Sequence, residues 1–282
     1  MSDTFEGKVA VITGAASGIG FGLAEHAAGI GMRLVMADVE EVALRDSAER
    51  LRGTGAEVRH VVTDVSSEAS VMSLAATTNE YFGPVSLLCN NAGVNSPGPT
   101  WELTRADWEW VLGVNLWGVI HGIRAFVPDM VARNEGYVVN TSSMGGLLIS
   151  PQIAPYSASK HGVIAISETM WRELADAGSN VGVSVVCPGY VSTRLLDSKR
   201  NWLDRFGAPL KPLPERVPAT DAPPAAQKLD GMAPSEAARI IFDAVAARQF
   251  WILTHPEQYA SAVRERFDGV IEAHDPTRFK FA

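Results

Sequence analysis

The feature that most constrains this chain is an alternation. Short β-branched runs recur along it, each followed by a longer segment of helical period. Strand candidates are Lys8–Thr13, Arg33–Asp38, Glu57–Asp64, Val85–Asn90, Tyr137–Ser142, Val181–Cys187 and Phe250–Thr254. Helical patterns cover Gly18–Gly29, Glu40–Arg52, Ser67–Phe82, Thr104–Arg133, Ala154–Ala177 and Ser235–Arg248. Strands and helices of these lengths in alternation require right-handed crossovers, and so a mostly parallel sheet covered by helices on both faces. VAVIT and VSVVC are continuously apolar, as strands buried on both faces are. The expectation is an α/β, doubly wound, seven-stranded sheet in one domain spanning residues 1–282.

The composition narrows the partners. A formal charge of -8 disfavours nucleic acid and anionic membrane surfaces, which need a basic face. No uncharged apolar run approaches the roughly 18 residues of a membrane span, and the first residues do not read as a signal peptide. The two cysteines, Cys89 and Cys187, lie in apolar strand-like runs and read as buried thiols of a reducing compartment. A cytoplasmic location is expected. The six histidines show no paired ligand spacing, so no metal site is expected.

Residues 194–234 break the pattern. Seven of the sixteen prolines fall between Pro209 and Pro234, which excludes regular structure there. Leu195, Leu196, Trp202, Leu203 and Phe206 are too apolar for a plain linker, so the segment reads as a lid with a short helix near Asn201–Phe206, in preference to a merely mobile loop. HPEQYASAVRERFDGVI reads as a helix within a C-terminal extension over about residues 255–282.

Chemistry gathers at the strand ends. The first strand runs into TGAASGIG, where Gly14, Gly18 and Gly20 allow a tight turn and close backbone approach to a pyrophosphate. Ser17 and Ile19 lie in the same loop and helix start. Eighteen residues after Gly20, Asp38 closes the second strand. An acid there accepts hydrogen bonds from ribose hydroxyls and repels a 2′-phosphate, and no basic residue occupies Ala15, Ala16, Ser17 or Val39. The prediction is NAD over NADP, with Asp38 also suited to a helix N-cap. Later strands end in Asp64-Val65, Asn90-Asn91-Ala92-Gly93, Ser142-Ser143 and Pro188-Gly189. In a doubly wound sheet these ends share one edge, where ligands bind.

Tyr156 and Lys160 are four apart and share a helix face. A phenol needs a neighbouring positive charge to act as a base near neutral pH, and an ammonium supplies one. Ser143 ends the preceding strand, thirteen residues before Tyr156, where its hydroxyl can hold a substrate oxygen.

TGAASGIG, Asp64, NNAG, Asn115, Ser143, YSASK and PGYVST, in this order and spacing, resemble the short-chain dehydrogenase/reductase family in its common one-domain form, with a Rossmann fold. The resemblance covers about residues 5–194 and 235–254. It implies a catalytic set of Asn115, Ser143, Tyr156 and Lys160: Tyr156 exchanges the proton with the substrate oxygen, Ser143 steadies that oxygen, Lys160 lowers the tyrosine pKa and holds a ribose, and Asn115 supports a relay water. It also implies that Val191 and Thr193 lie near the nicotinamide carboxamide and Asn91 near a ribose, and that the long helices assemble a homo-oligomer, dimer or tetramer. On family geometry, Asn95, Trp101, Gly145, Leu147, Gln152, Tyr190, Leu195 and Trp202 line the outer pocket. That apolar, aromatic lining suits a hydrophobic or aryl substrate, unless Trp101 and Trp202 only pack the lid. AGVNSPGP and FVPDM are similar to segments of bacterial dehydrogenases acting on aryl secondary alcohols. The expected function is hydride transfer between NAD and a secondary alcohol or ketone, with an NAD preference tilting the direction toward oxidation. The alternatives are an NADPH-type ketone or acyl reductase, a non-catalytic dinucleotide sensor and a partner-binding protein with vestigial chemistry.

Overall fold

The computed structural model describes residues 5–207 and 231–276. Its seven strands are β1 (Val9–Thr13), β2 (Arg33–Asp38), β3 (Val58–Val62), β4 (Leu87–Asn90), β5 (Tyr137–Thr141), β6 (Gly182–Cys187) and β7 (Trp251–Leu253). They form one sheet in the order β3-β2-β1-β4-β5-β6-β7. Every pairing is parallel, so the expected mostly parallel sheet is wholly parallel. Each crossover carries a helix: α1 (Gly18–Gly29), α2 (Glu41–Arg52), α3 (Glu68–Phe82), α4 (Arg105–Leu112), α5 (Gly118–Arg133), α6 (Ala154–Asp176) and α7 (Pro234–Ala246). A final helix, α8 (Pro256–Ile271), follows β7, where the C-terminal pattern predicts it.

The continuous apolar strands make two cores. Ala10 and Ile12 of β1, with Leu34 and Met36 of β2, pack under Leu23 of α1, Leu44 of α2 and Ile241 of α7. Their alternates Val9, Val11, Val35 and Ala37 face the other way, onto Leu74 of α3, Met130 of α5 and Met170 of α6. Alternate side chains on opposite faces are why each strand must be apolar throughout. Cys89 and Cys187 are buried and free, and burial pushes both thiols up to about 12.

Two expectations change. The pattern Thr104–Arg133 is not one regular helix, because a π-helical turn, Gly113–Trp117, separates α4 from α5. Close packing accompanies it: a Cβ on Gly113 would lie 3.2 Å from Ser66 Cβ, and one on Gly118 2.9 Å from Val65 Cγ2. Taken as one stretch, Arg105–Arg133 is long and apolar enough to cross a membrane, although uncharged runs alone suggest no such segment; half of its apolar window is buried within the fold. In the expected lid, Asp204–Phe206 forms a 3₁₀ turn inside the predicted short helix, and a further 3₁₀ segment, Leu195–Asn201, precedes it. The rest of the expected lid, 208–230, and the end of the expected C-terminal extension, 277–282, lie outside the described residues.

Candidate active site

The loop from β1 to α1 is shaped by its glycines. Gly14 has φ +66°, and a Cβ there would lie 2.8 Å from Ala92 Cα. A Cβ on Gly20 would overlap the Gly14 carbonyl, so the helix can begin this close to the turn only with glycine. Thr13 locks this loop to the β4 end: its hydroxyl oxygen accepts from the Asn91 and Ala92 amides at 2.9 and 3.1 Å. Asn91, expected beside a ribose, donates its side-chain amide to the Thr13 carbonyl at 3.0 Å and so braces the same turn.

At the end of β2, the Asp38 carboxylate accepts from the Ala16 amide and from the Glu40 amide, each at 3.0 Å. Glu40, not Asp38, takes the N-cap position of α2. Burial pushes the Asp38 carboxyl above its ordinary value, opposed by those amide bonds. Asp64 accepts from the Ser66 amide at 3.0 Å and the Ser66 hydroxyl at 2.6 Å, and forms an ion pair with Arg205. Val65 is buried, and its carbonyl accepts from His121 at 2.9 Å. Across the cleft, the Pro188 carbonyl accepts from Met144 N at 2.9 Å, and Gly189 N donates to Thr254 at 3.1 Å. Val191 is buried and bridges to Met232, while the Thr193 methyl would lie 3.1 Å from a Cβ on Gly18, at the start of α1.

The expected catalytic set converges. Ser143 caps the 3₁₀ turn Met144–Gly146 by accepting from Gly145 N at 3.0 Å. That leaves its proton to donate, and a Cβ on Gly145 would stand 3.5 Å from Ser143 Oγ and 3.1 Å from Tyr156 Cε1, so the two side chains flank that glycine. Tyr156 stands in the first turns of α6, at the edge of an apolar cluster with Val94, Trp110 and Val111. One turn on, the Lys160 ammonium lies 5.6 Å from the Tyr156 ring centre and donates to the Thr141 carbonyl at 2.8 Å. Asn115 sits in the π turn, wholly buried. Its Oδ1 accepts from Val94 N at 2.8 Å, and its Nδ2 donates to Val94 O at 2.9 Å and Ser159 Oγ at 3.1 Å. A Cβ on Gly93 would stand 3.6 Å from both Asn115 Oδ1 and Lys160 Nζ, so the set closes around that glycine.

Burial governs the two titrating groups. It holds Lys160 down at about 8 and pushes Tyr156 up, with Ser143 pulling the phenol the other way.

The expected pocket residues do not all meet. Leu195 and Trp202 pack against the cluster that holds Tyr156, with Trp202 4.8 Å from Trp110 between ring centres. Gly145 lies against the Tyr156 ring. Gln152, in the left-handed region at φ +68°, accepts from Gly98 N at 2.8 Å, and Asn95 N donates to Ser198 at 3.1 Å. Tyr190 is half exposed and Trp101 is 85% exposed, so Trp101 packs no lid among the described residues. Leu147 departs from the group: its side chain is buried with Met144, Val163 and Tyr259, away from the Trp110 cluster.

Several contributors carry no strong signal in the sequence. Thr13 and Ser159 could have been found as polar residues inside or beside motifs. Asp107, buried in α4, accepts from Ser96 Oγ at 2.6 Å and holds the loop after NNAG. Arg200 and Arg205 reach Glu40 and Asp64 from the 3₁₀ segments after β6, contacts that no local pattern announces.

The family model for short chain dehydrogenases matches residues 8–204. This chain belongs to the short-chain dehydrogenase/reductase family. It is an oxidoreductase acting on secondary alcohols or ketones with NAD(P). A short chain dehydrogenase/reductase from Burkholderia phymatum, solved in complex with NAD, is 42% identical, with TM-score 0.91 over 98% of both chains. The CLA biosynthesis dehydrogenase/reductase of Lactiplantibacillus plantarum is 33% identical over 95% of this chain and 94% of its own. The C alpha-dehydrogenase of Sphingobium sp. is 37% identical over 72% of this chain and 67% of its own. The dehydrogenase fold here suits the family's dinucleotide. The first turn of α1 carries no acidic residue and Ser17 makes no capping bond, so the start of this helix, beside the Gly14 turn, would accept a phosphate.

Proposed function

We propose that this chain oxidises hydrophobic or aryl secondary alcohols with NAD in preference to NADP, using Tyr156 as the acid/base. The observation that carries the reaction is the meeting of Ser143 Oγ and the Tyr156 ring on either side of Gly145, at the edge of the Trp110 cluster. Two oxygen groups meet there beside apolar walls, so an alcohol oxygen can be held while its carbon substituents lie in an apolar space. Bound NAD supplies the hydride acceptor. Tyr156 takes the hydroxyl proton, Ser143 donates to the same oxygen, and Lys160 holds positive charge beneath the phenol. Asn115 fixes Val94, and with it the wall opposite Tyr156.

Asp38 supports the cofactor choice. Its carboxylate is fixed by two amides at the end of β2, where a 2′-phosphate would meet a like charge. The 42% identical relative solved with NAD supports the same choice. NADH formation at 340 nm across a panel of aryl and alkyl secondary alcohols, with NAD beside NADP, tests both parts. Turnover of aryl alcohols with NAD supports the proposal, and activity confined to NADP defeats the Asp38 argument in favour of a reductase.

A further inference from the structure

Two residues past Asp38, a cluster of charges joins β2 to the lid. The Glu40 carboxylate, 21% exposed, receives Arg200 Nε at 3.0 Å and Nη2 at 2.9 Å, both on Oε1. Arg194 Nη1 stands 3.9 Å from the other oxygen. Arg200 is anchored in turn: its Nη1 donates to the Arg194 and Asp197 carbonyls, each at 2.8 Å. Arg194 also pairs with Asp197 at 3.1 Å. The Glu40 amide donates to Asp38 at 3.0 Å, so the two acids are neighbours with different partners. Asp38 is faced by backbone amides, and Glu40 is covered by guanidinium groups. The Glu40 charge also acts on Asp38, raising its pKa alongside burial.

We infer that Glu40 is a second determinant of cofactor choice, because it engages the guanidinium groups of Arg194 and Arg200 beside Asp38 and keeps them from receiving a 2′-phosphate. This inference rests on the reading of Asp38 as the ribose acid. Guanidinium is the side chain best matched to phosphate, through forked charge-assisted bonds. Two such groups at this edge would serve an NADP enzyme, yet here their charge is answered by Glu40 and Asp197. The Glu40–Arg200 pair is mostly sheltered, so salt screens it less than an exposed pair. Removing Asp38 lifts the repulsion only. Removing the Glu40 charge as well leaves the lid arginines with positive charge to spare. Glu40→Gln keeps an oxygen for Arg200 to bond, so the lid contact survives the loss of charge.

The test is calorimetric titration with 5′-AMP and adenosine 2′,5′-bisphosphate, which needs no hydride transfer. The proteins are wild type, D38S, D38S/E40Q and D38S/E40Q/R194M/R200M, with kcat/KM for NAD and NADP measured beside them. D38S should raise the bisphosphate-to-AMP affinity ratio about tenfold, E40Q should add about tenfold more, and the paired R194M and R200M should remove that second gain. A D38S gain with no further gain from E40Q, or a second gain that survives loss of both arginines, overturns the inference and leaves the cluster as a fastener of segment 194–201. A flat ratio in D38S overturns the reading of Asp38 and this inference with it.

Discussion

Lys160 occupies a place that costs the fold stability. Buried and held at about 8, against 10.5 for an ordinary lysine, it binds a proton less readily in the folded chain than in the unfolded one. The cost is fully present below pH 8 and fades as pH rises from 8 to 10.5. Lys160→Met should therefore melt no lower than wild type at pH 7, with a gain of at most about 3 kcal/mol, and the two should converge through that alkaline window. Thermal unfolding across pH checks this; a variant much less stable at pH 7 would show that the Thr141 bond outweighs the burial cost. Its turnover should fall at least about a hundredfold. Tyr156 is pushed in the opposite sense, upward, so the basic form that oxidation needs is lost as pH falls. At saturating NAD, log kcat/KM for an alcohol should drop with unit slope on the acid side. Tyr156→Phe should abolish that limb and lower kcat about a thousandfold while NAD affinity stays within about threefold.

At the scale of elements, the π turn deserves a direct probe through Asn115. Asn115→Ala strips three buried hydrogen bonds and leaves the Val94 amide and carbonyl without those partners. The expected cost is about 2–4 kcal/mol in urea unfolding, together with a fall in kcat, because Val94 walls the pocket at Tyr156. A variant as stable as wild type would mean that the loop finds other partners. The strands and helices were legible because two-face burial demands apolar runs, and Tyr156 with Lys160 because residues four apart share a helix face, whereas Asn115 was marked only by the family resemblance. The π turn was not, since one turn of altered pitch in GVNLW leaves the apolar periodicity intact. Leu147 misled for a related reason. It follows the Ser143 turn in sequence, but its side chain turns toward α8, and only tertiary packing sets that direction. The contact of Arg200 was equally invisible, because it meets an acid 160 positions away.

For the molecule as a whole, the outer surfaces of the two long helical segments remain partly apolar. Trp117 is 53% exposed in the π turn and Trp171 47% exposed on α6. We expect these faces to join copies into a homo-oligomer, so sedimentation should give a dimer or tetramer that Trp117→Glu with Trp171→Glu dissociates. A wild-type monomer would remove that expectation. At the far side of the molecule, α8 clips the site from behind. Arg266 donates to the Leu147 carbonyl and, at 3.0 Å, to His161 Nε2, while His161 Nδ1 donates to Ser157 O at 2.8 Å. During synthesis, the sheet and all four expected catalytic side chains exist before α8 is made. The turn that carries Ser143 then lacks its outer fastening. A nascent chain can thus complete its sheet before Leu147 and His161 gain their Arg266 contacts, which wait until α8 has folded back.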